Sequence, residues 1–164
     1  MACRTLNRNK GGTVGNPLLT PQSFNGIGVG KLPGHLGIVI TQVSQSEVRA
    51  ELTVGETHMA PNGYLHAGTI VTLADTCAGY GCIVNLPAGA TGFTTIELKS
   101  NHLGTALEGT IAASATPAHL GKTTQVWDAV VTHHASGKTL ALFRCTQMIL
   151  YARAAAKGTS AAPP

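Results

Sequence analysis

One long apolar helical run set among six strand-like runs decides most of what this chain can become. The stretch GYLHAGTIVTLADTCAGYGCIV reads as a helix over 66–84, stopped by Asn85 and Pro87. Before it, residues 36–44 (LGIVITQVS) and 47–54 (EVRAELTV) are rich in β-branched side chains and are joined by a short turn, as in a hairpin. After it come four more such runs, at 91–103, 106–118, 122–134 and 139–151. Gly104, the 119–121 turn and the Ser136-Gly137 pair separate them. A single helix cannot alternate with six strands in a βαβ series. The order ββ-α-ββββ therefore predicts an α+β domain, an antiparallel sheet with one long helix packed on it.

The chain of 164 residues is long enough for one domain with a substantial core. Residues 1–16 (MACRTLNRNKGGTVGN) are polar, Gly-rich and aperiodic, and residues 152–164 (ARAAAKGTSAAPP) are of low complexity, so both read as disordered tails around a domain at 17–151. Residues 21–34 (PQSFNGIGVGKLPG) read as a short helix followed by a loop. Charged residues make up only 11% of the chain, against about 25% in typical soluble proteins. A small domain so poor in charge is expected to hide part of its surface against copies of itself. The net charge of +4 lies largely in the ends, in Arg4, Arg8, Lys10, Arg153 and Lys157. With 4% aromatics and no run of consecutive basic residues, the composition argues against a nucleic-acid partner.

The four cysteines (Cys3, Cys77, Cys82 and Cys145) form no CxxC and no zinc-like pairing with histidine. Cys77 and Cys82 lie five apart on the helix and point in different directions, so buried free thiols in a reducing compartment are expected. With no secretory h-region and no unbroken run of 18 apolar residues, a cytoplasmic protein is the expectation, with no membrane association.

Asp75 is one of only seven acids in the chain. On a 3.6-residue repeat it shares a face with Gly68, Thr72 and Gly79, beside a greasy stripe of Ile70, Leu73, Ala74 and Cys77. Two readings stay open: a carboxylate in solvent on the outer face, or one on a narrow seam where a backbone or ligand comes close. At the helix start, His66-Ala67-Gly68 leaves first-turn N–H groups approachable, a place where an oxyanion can be held. Every helix start offers such donors, and His66 by itself also suits a structural, hydrogen-bonded role. Ala67 and Asp75 are eight residues apart, about 12 Å along one helix, too far to act on one carbonyl. Two copies packed antiparallel along this seam would bring the Asp75 of each toward the Ala67 of the other.

Other patterns carry less. GIGVGKL at 26–32 has three residues where a phosphate-binding loop has four between its glycines, ends in Leu32, and follows no strand. His133 and His134 are adjacent on a strand and face opposite sides, so no metal site is expected. Ser46, Ser100 and Ser136 have no GxSxG setting.

Three stretches, LPGHLGIVI, PNGYLHAGTIVTLADTCAGYG and GFTTIELKSNHL, resemble the hotdog-fold acyl-CoA thioesterases. The likeness is to the PaaI-like group, named for phenylacetic acid degradation, and to 4-hydroxybenzoyl-CoA thioesterases, and it covers residues 32–151. It implies a long helix wrapped by an antiparallel sheet of about six strands, paired into a dimer with a continuous sheet and often into a homotetramer. It further implies hydrolysis of an aryl- or medium-chain acyl-CoA, with CoA as part of the substrate and no cofactor. By this resemblance Asp75 matches the catalytic carboxylate, as nucleophile or as general base on water. Ala67 matches the residue whose N–H polarises the thioester carbonyl, His66 and Gly68 complete that motif, and Thr95 matches a hydroxyl that positions water. Tyr64, Tyr80, Phe93 and Leu103 are candidates for the acyl or aryl pocket, Lys99 and Lys122 for the nucleotide phosphates, and Asn62 for orienting the substrate in place of an Asn or Gln that many relatives carry six residues before the histidine. The chain departs from the pattern at Ala60, where many relatives carry Asn or Gln, and that departure keeps open the alternative of a non-catalytic acyl-CoA-binding module.

Overall fold

The computed structural model describes residues 19–152, so the two expected tails, and Cys3 with them, lie outside the described residues. The chain enters through α1 (Pro21–Gly28), which Thr20 caps in a reciprocal box with Ser23. A single turn, α2 (Leu32–His35), follows. The sheet strands are β1 (Val39–Val43), β2 (Val48–Thr53), β3 (Ala90–His102), β4 (Thr110–Leu120), β5 (Thr124–His133) and β6 (Thr139–Tyr151). The central helix, α3 (Ala67–Val84), lies between β2 and β3 in the chain. The expected order of two strands, one long helix and four strands is thus the observed one. β1 starts three residues later than the sequence suggests, because Pro33 and Gly34 support the turn of α2 and Leu36 caps it.

The six strands form one antiparallel sheet in the order β1-β2-β4-β5-β6-β3. Its inward face wraps α3, which touches β2, β3, β4, β5 and β6. Alternation along β6 shows how the sequence writes this wrap. Phe143, Cys145, Gln147 and Ile149 are buried, while Leu142, Arg144, Met148 and Leu150 are exposed. On the helix, Ile70, Leu73, Ala74 and Cys77 are buried, as the greasy stripe requires. The burial goes further than one stripe: from Thr69 to Val84 no residue of α3 is exposed. A helix apolar on most sides belongs inside a core. Among the described residues α3 is the one helix long and apolar enough to cross a membrane, with a mean hydropathy of 1.3, and here it is the core helix.

Small residues let the sheet close on this helix. Trp127 of β5 is completely buried, and its ring lies so close to Gly81 that a Cβ there would sit 2.5 Å from two ring carbons. Its indole N–H donates to Gln125 Oε1 at 3.0 Å, and Gln125 Nε2 donates to the Asn85 carbonyl at 2.8 Å. The end of α3 is thereby tied to the sheet. Cys77, Cys82 and Cys145 are buried and free, as expected, and burial pushes each thiol up to about 12, which leaves them unreactive at neutral pH. Replacing Gly81 by Ala forces the Trp127 ring or the helix to move. Gly81→Ala is expected to cost about 1–3 kcal/mol, the usual penalty of overpacking, in urea unfolding monitored by Trp127 fluorescence.

Candidate active site

Residues 56–69 set the entry to α3. Gly63 turns the chain with φ of +83°, a conformation open to glycine, and the Ala60 N–H donates to the Tyr64 carbonyl at 2.7 Å. His58 is buried and anchors this loop with both its ring and its carbonyl. Its Nδ1 accepts from the Gly55 N–H at 2.9 Å, so the ring proton lies on Nε2, which donates to the Leu36 carbonyl at 3.0 Å. The His58 carbonyl accepts from the His66 N–H and from the Thr69 hydroxyl, each at 3.0 Å. Nothing in the sequence singles out His58, because a lone histidine between a strand and a helix has no periodic or motif signature.

The donors of the first helical turn are then used one by one. The Thr69 and Ile70 N–H groups go to the His66 carbonyl at 3.0 and 3.4 Å. The Gly68 N–H goes to His66 Nδ1 at 2.8 Å, with His66 as the N-cap. Among the described residues no acceptor meets the Ala67 N–H, and Ala67 is exposed. It is a free donor at the positive end of an 18-residue helix. The same hydrogen bond leaves the His66 ring with its proton on Nε2, directed away from the backbone.

Asp75 sits two turns further on. Asp75 is half-buried, and of its two carboxylate oxygens Oδ1 is sealed from water with no hydrogen-bond partner among the described residues. Burial raises the carboxyl pKa above the ordinary value of 3.8. The solvent-facing reading left open by helical spacing therefore does not describe it. Two contacts fix what it faces. A Cβ on Gly79 would lie 3.1 Å from the Phe93 ring, so this turn of α3 rests on β3 at Phe93. Asp75, one turn back, lies close enough to Cys145 of β6 for its charge to raise that thiol's pKa further. Across the sheet Cys145 pairs with Leu98, and Gln147, the next inward residue of β6, pairs with Thr95. Thr95 donates to Gln147 Oε1 at 2.9 Å.

The remaining candidates are distributed as follows. Phe93 packs on the helix within this group. Asn62 accepts from the Tyr64 N–H at 3.2 Å, which occupies its side-chain oxygen in the local turn. Tyr64 and Leu103 are exposed at 58% each. Lys99 pairs across the sheet with Arg144, whose guanidinium holds Asp128 at 2.5 Å on the outward face, so Lys99 shares that face and not the one that carries Asp75. Lys122 lies in the β4–β5 turn, where its carbonyl accepts from the Tyr151 hydroxyl. Among the described residues no group of three metal-ligating side chains occurs. One chain thus carries Asp75 on α3 near Cys145, Phe93 and Thr95 on the neighbouring β3, and the Ala67 donor at the start of α3.

Two of these contacts set stability directly. His58→Ala leaves the Gly55 donor and the Leu36 acceptor unmatched and is expected to cost about 1–3 kcal/mol in chemical denaturation. Asp75→Asn has the opposite sign. A carboxyl whose folded pKa is raised adds no charge penalty below its unfolded value, but as pH rises past it the folded state must hold a desolvated anion. The Asn variant is therefore expected to melt at a higher temperature than wild type at pH 7, and the difference should vanish near pH 3.

Comparison with known proteins identifies the family. Residues 62–139, which include the helix start, Asp75 and Thr95, match the Thioesterase superfamily. The chain is 35% identical over 111 residues to the 1,4-dihydroxy-2-naphthoyl-CoA hydrolase of Listeria monocytogenes, an alignment covering 68% of this chain and 89% of that protein. A thioesterase structure from Haemophilus influenzae superposes with a TM-score of 0.75 at 29% identity, over 80% of this chain and 91% of the other. The Escherichia coli PaaI protein from the phenylacetic acid degradation operon superposes with a TM-score of 0.69 at 25% identity, over 79% and 91%. With its wrapped helix and antiparallel sheet, the chain belongs to the thioesterase superfamily, as a hotdog-fold thioester hydrolase.

Proposed function

We propose that the protein hydrolyses an aryl- or medium-chain acyl-CoA to the free acid and CoA, with Asp75 as the base that activates water. The observation that carries this reading is the half-buried Asp75 carboxylate, which accepts no hydrogen bond among the described residues. A buried anion without a donor costs stability, and its raised pKa makes it a better base than a surface aspartate. Hydrolysis needs that base and a donor for the developing oxyanion. Ala67 N–H is such a donor, but on one helix it stands about 12 Å from Asp75.

A second copy of the chain supplies the missing half. β3 is an edge strand of 13 residues, with Ile96 and Leu98 exposed at 54% and 43%. A long apolar edge of this kind invites pairing with its own copy. An antiparallel pairing of β3 with the partner's β3 sets the two α3 helices side by side in opposite directions and brings each Asp75 toward the partner's helix start. The substrate thioester then sits between the two. As Asp75 takes one proton from water, the water oxygen bonds to the thioester carbon and the carbonyl π electrons move to its oxygen, held by the Ala67 N–H of the other subunit. Collapse breaks the C–S bond and expels CoA thiolate, which leaves readily and takes up the proton from Asp75 directly or through solvent. Kinship with a 1,4-dihydroxy-2-naphthoyl-CoA hydrolase supports a CoA thioester with an aromatic acyl group as substrate. Phe93 lines the acyl side of this site.

Thiol release from benzoyl-CoA and octanoyl-CoA tests the proposal. Asp75→Asn is expected to lose at least about a hundredfold in kcat with KM little changed, in line with removal of a general base. In wild type, kcat/KM should fall with decreasing pH along a limb that lies above the ordinary aspartate range, because Asp75 must be ionised to act. Binding of both esters without turnover in wild type would instead identify an acyl-CoA-binding module.

A further inference from the structure

Gln147 is completely buried at an inward position of β6, between Cys145 and Ile149, where an apolar side chain of similar size would pack. It pairs directly across the sheet with Thr95 on one side and Gln125 on the other. Both ends of its amide are engaged. Oε1 accepts the Thr95 hydroxyl proton at 2.9 Å, and Nε2 donates to Cys145 Sγ at 3.2 Å. Gln125 does not compete for either group, because its own amide serves Asn85 and Trp127.

The Thr95 hydroxyl owns one proton and two lone pairs. With the proton committed to Gln147, Thr95 can only accept from a third group. Asp75, near Cys145 of the strand that also carries Gln147, accepts no hydrogen bond among the described residues. We infer that Gln147 is a positioning residue that fixes the Thr95 hydroxyl as an acceptor, so that Asp75 and Thr95 present two acceptors to one water. A water that gives one proton to each keeps its lone pairs for the thioester carbon. Without Gln147 the Thr95 hydroxyl is free to turn and donate to Asp75, which satisfies the carboxylate and weakens it as a base. The inference rests on the hydrolase reading above and adds the group that sets the direction of the Thr95 hydrogen bond.

The test is a double-mutant cycle in thiol release from benzoyl-CoA, with wild type, Gln147→Met, Thr95→Val and the double variant. Gln147→Met is expected to lower kcat at least about tenfold with KM within about twofold, and to cost nothing further in the Thr95→Val background. An equal loss in both backgrounds, or no loss in wild type, overturns the inference, since a packing role would act without Thr95. Should Gln147→Met fail to fold, Thr95→Val alone still decides. That near-isosteric change must lower kcat and spare KM, and a wild-type rate in Thr95→Val overturns the inference. Absence of turnover in wild type is a different result: it refutes the hydrolase reading, and the inference with it. Normal turnover in wild type with an unaffected Gln147→Met refutes the inference alone.

Discussion

The burial of α3 governs this structure. A helix with no exposed residue from Thr69 to Val84 must be enclosed, and six strands curve around it to do so. The enclosure depends on close approach, with Trp127 lying on Gly81 and Phe93 on Gly79. Because the wrap is tight, the one carboxylate that α3 carries is half-buried with the helix, one of its oxygens sealed from water. The same packing that stabilises the fold thus raises the basicity of Asp75.

The helix also separates what the chemistry must join. A base two turns inside the helix and a donor at its first residue cannot meet on a rigid rod. The geometry of the fold offers a remedy in the unpaired β3 edge, which carries the exposed side chains of Ile96 and Leu98. On this account pairing and catalysis share one cause: the edge that joins two copies also completes two sites. The low fraction of charged residues fits a chain that covers part of its surface in this way.

Much of this is legible in the sequence, and the reasons are physical. The element order follows from one long apolar run among β-branched runs, and the stripe of Ile70, Leu73, Ala74 and Cys77 follows from the helical repeat. Both signals are local and periodic. Sequence pattern alone starts β1 too early, since the α2 turn, with Pro33 near its start and Leu36 as its C-cap, takes residues that the strand-like run also claims. A free donor at the helix start is expected as a type of group and the resemblance singles out Ala67, while the hydrogen bonds of His66 and Gly68 leave its N–H without an acceptor among the described residues. His58 carries no signal at all. Gln147 does carry one, because it falls in the inward phase of β6 with Phe143, Cys145 and Ile149. A polar side chain in an otherwise apolar phase marks a position that must find a polar partner. That partner, Thr95, comes from a strand 52 residues away in the chain, and the pairing is not readable from spacing.

The central claim is that each site is built from two chains, and it can be measured directly. Ala67 is the first residue of α3, where proline is tolerated, so Ala67→Pro deletes the donor while keeping the helix start. His66 before it is already extended, with ψ of 132°, as a residue preceding proline requires. Asp75→Asn and Ala67→Pro chains, each inactive alone, are co-expressed with different tags, and the mixed dimer is purified through both. One of its two sites then carries both lesions and the other neither. The account predicts that the mixed dimer releases thiol at about half the wild-type rate. A mixed dimer as inactive as its parents would show that Asp75 and Ala67 must lie on the same chain, and would contradict it.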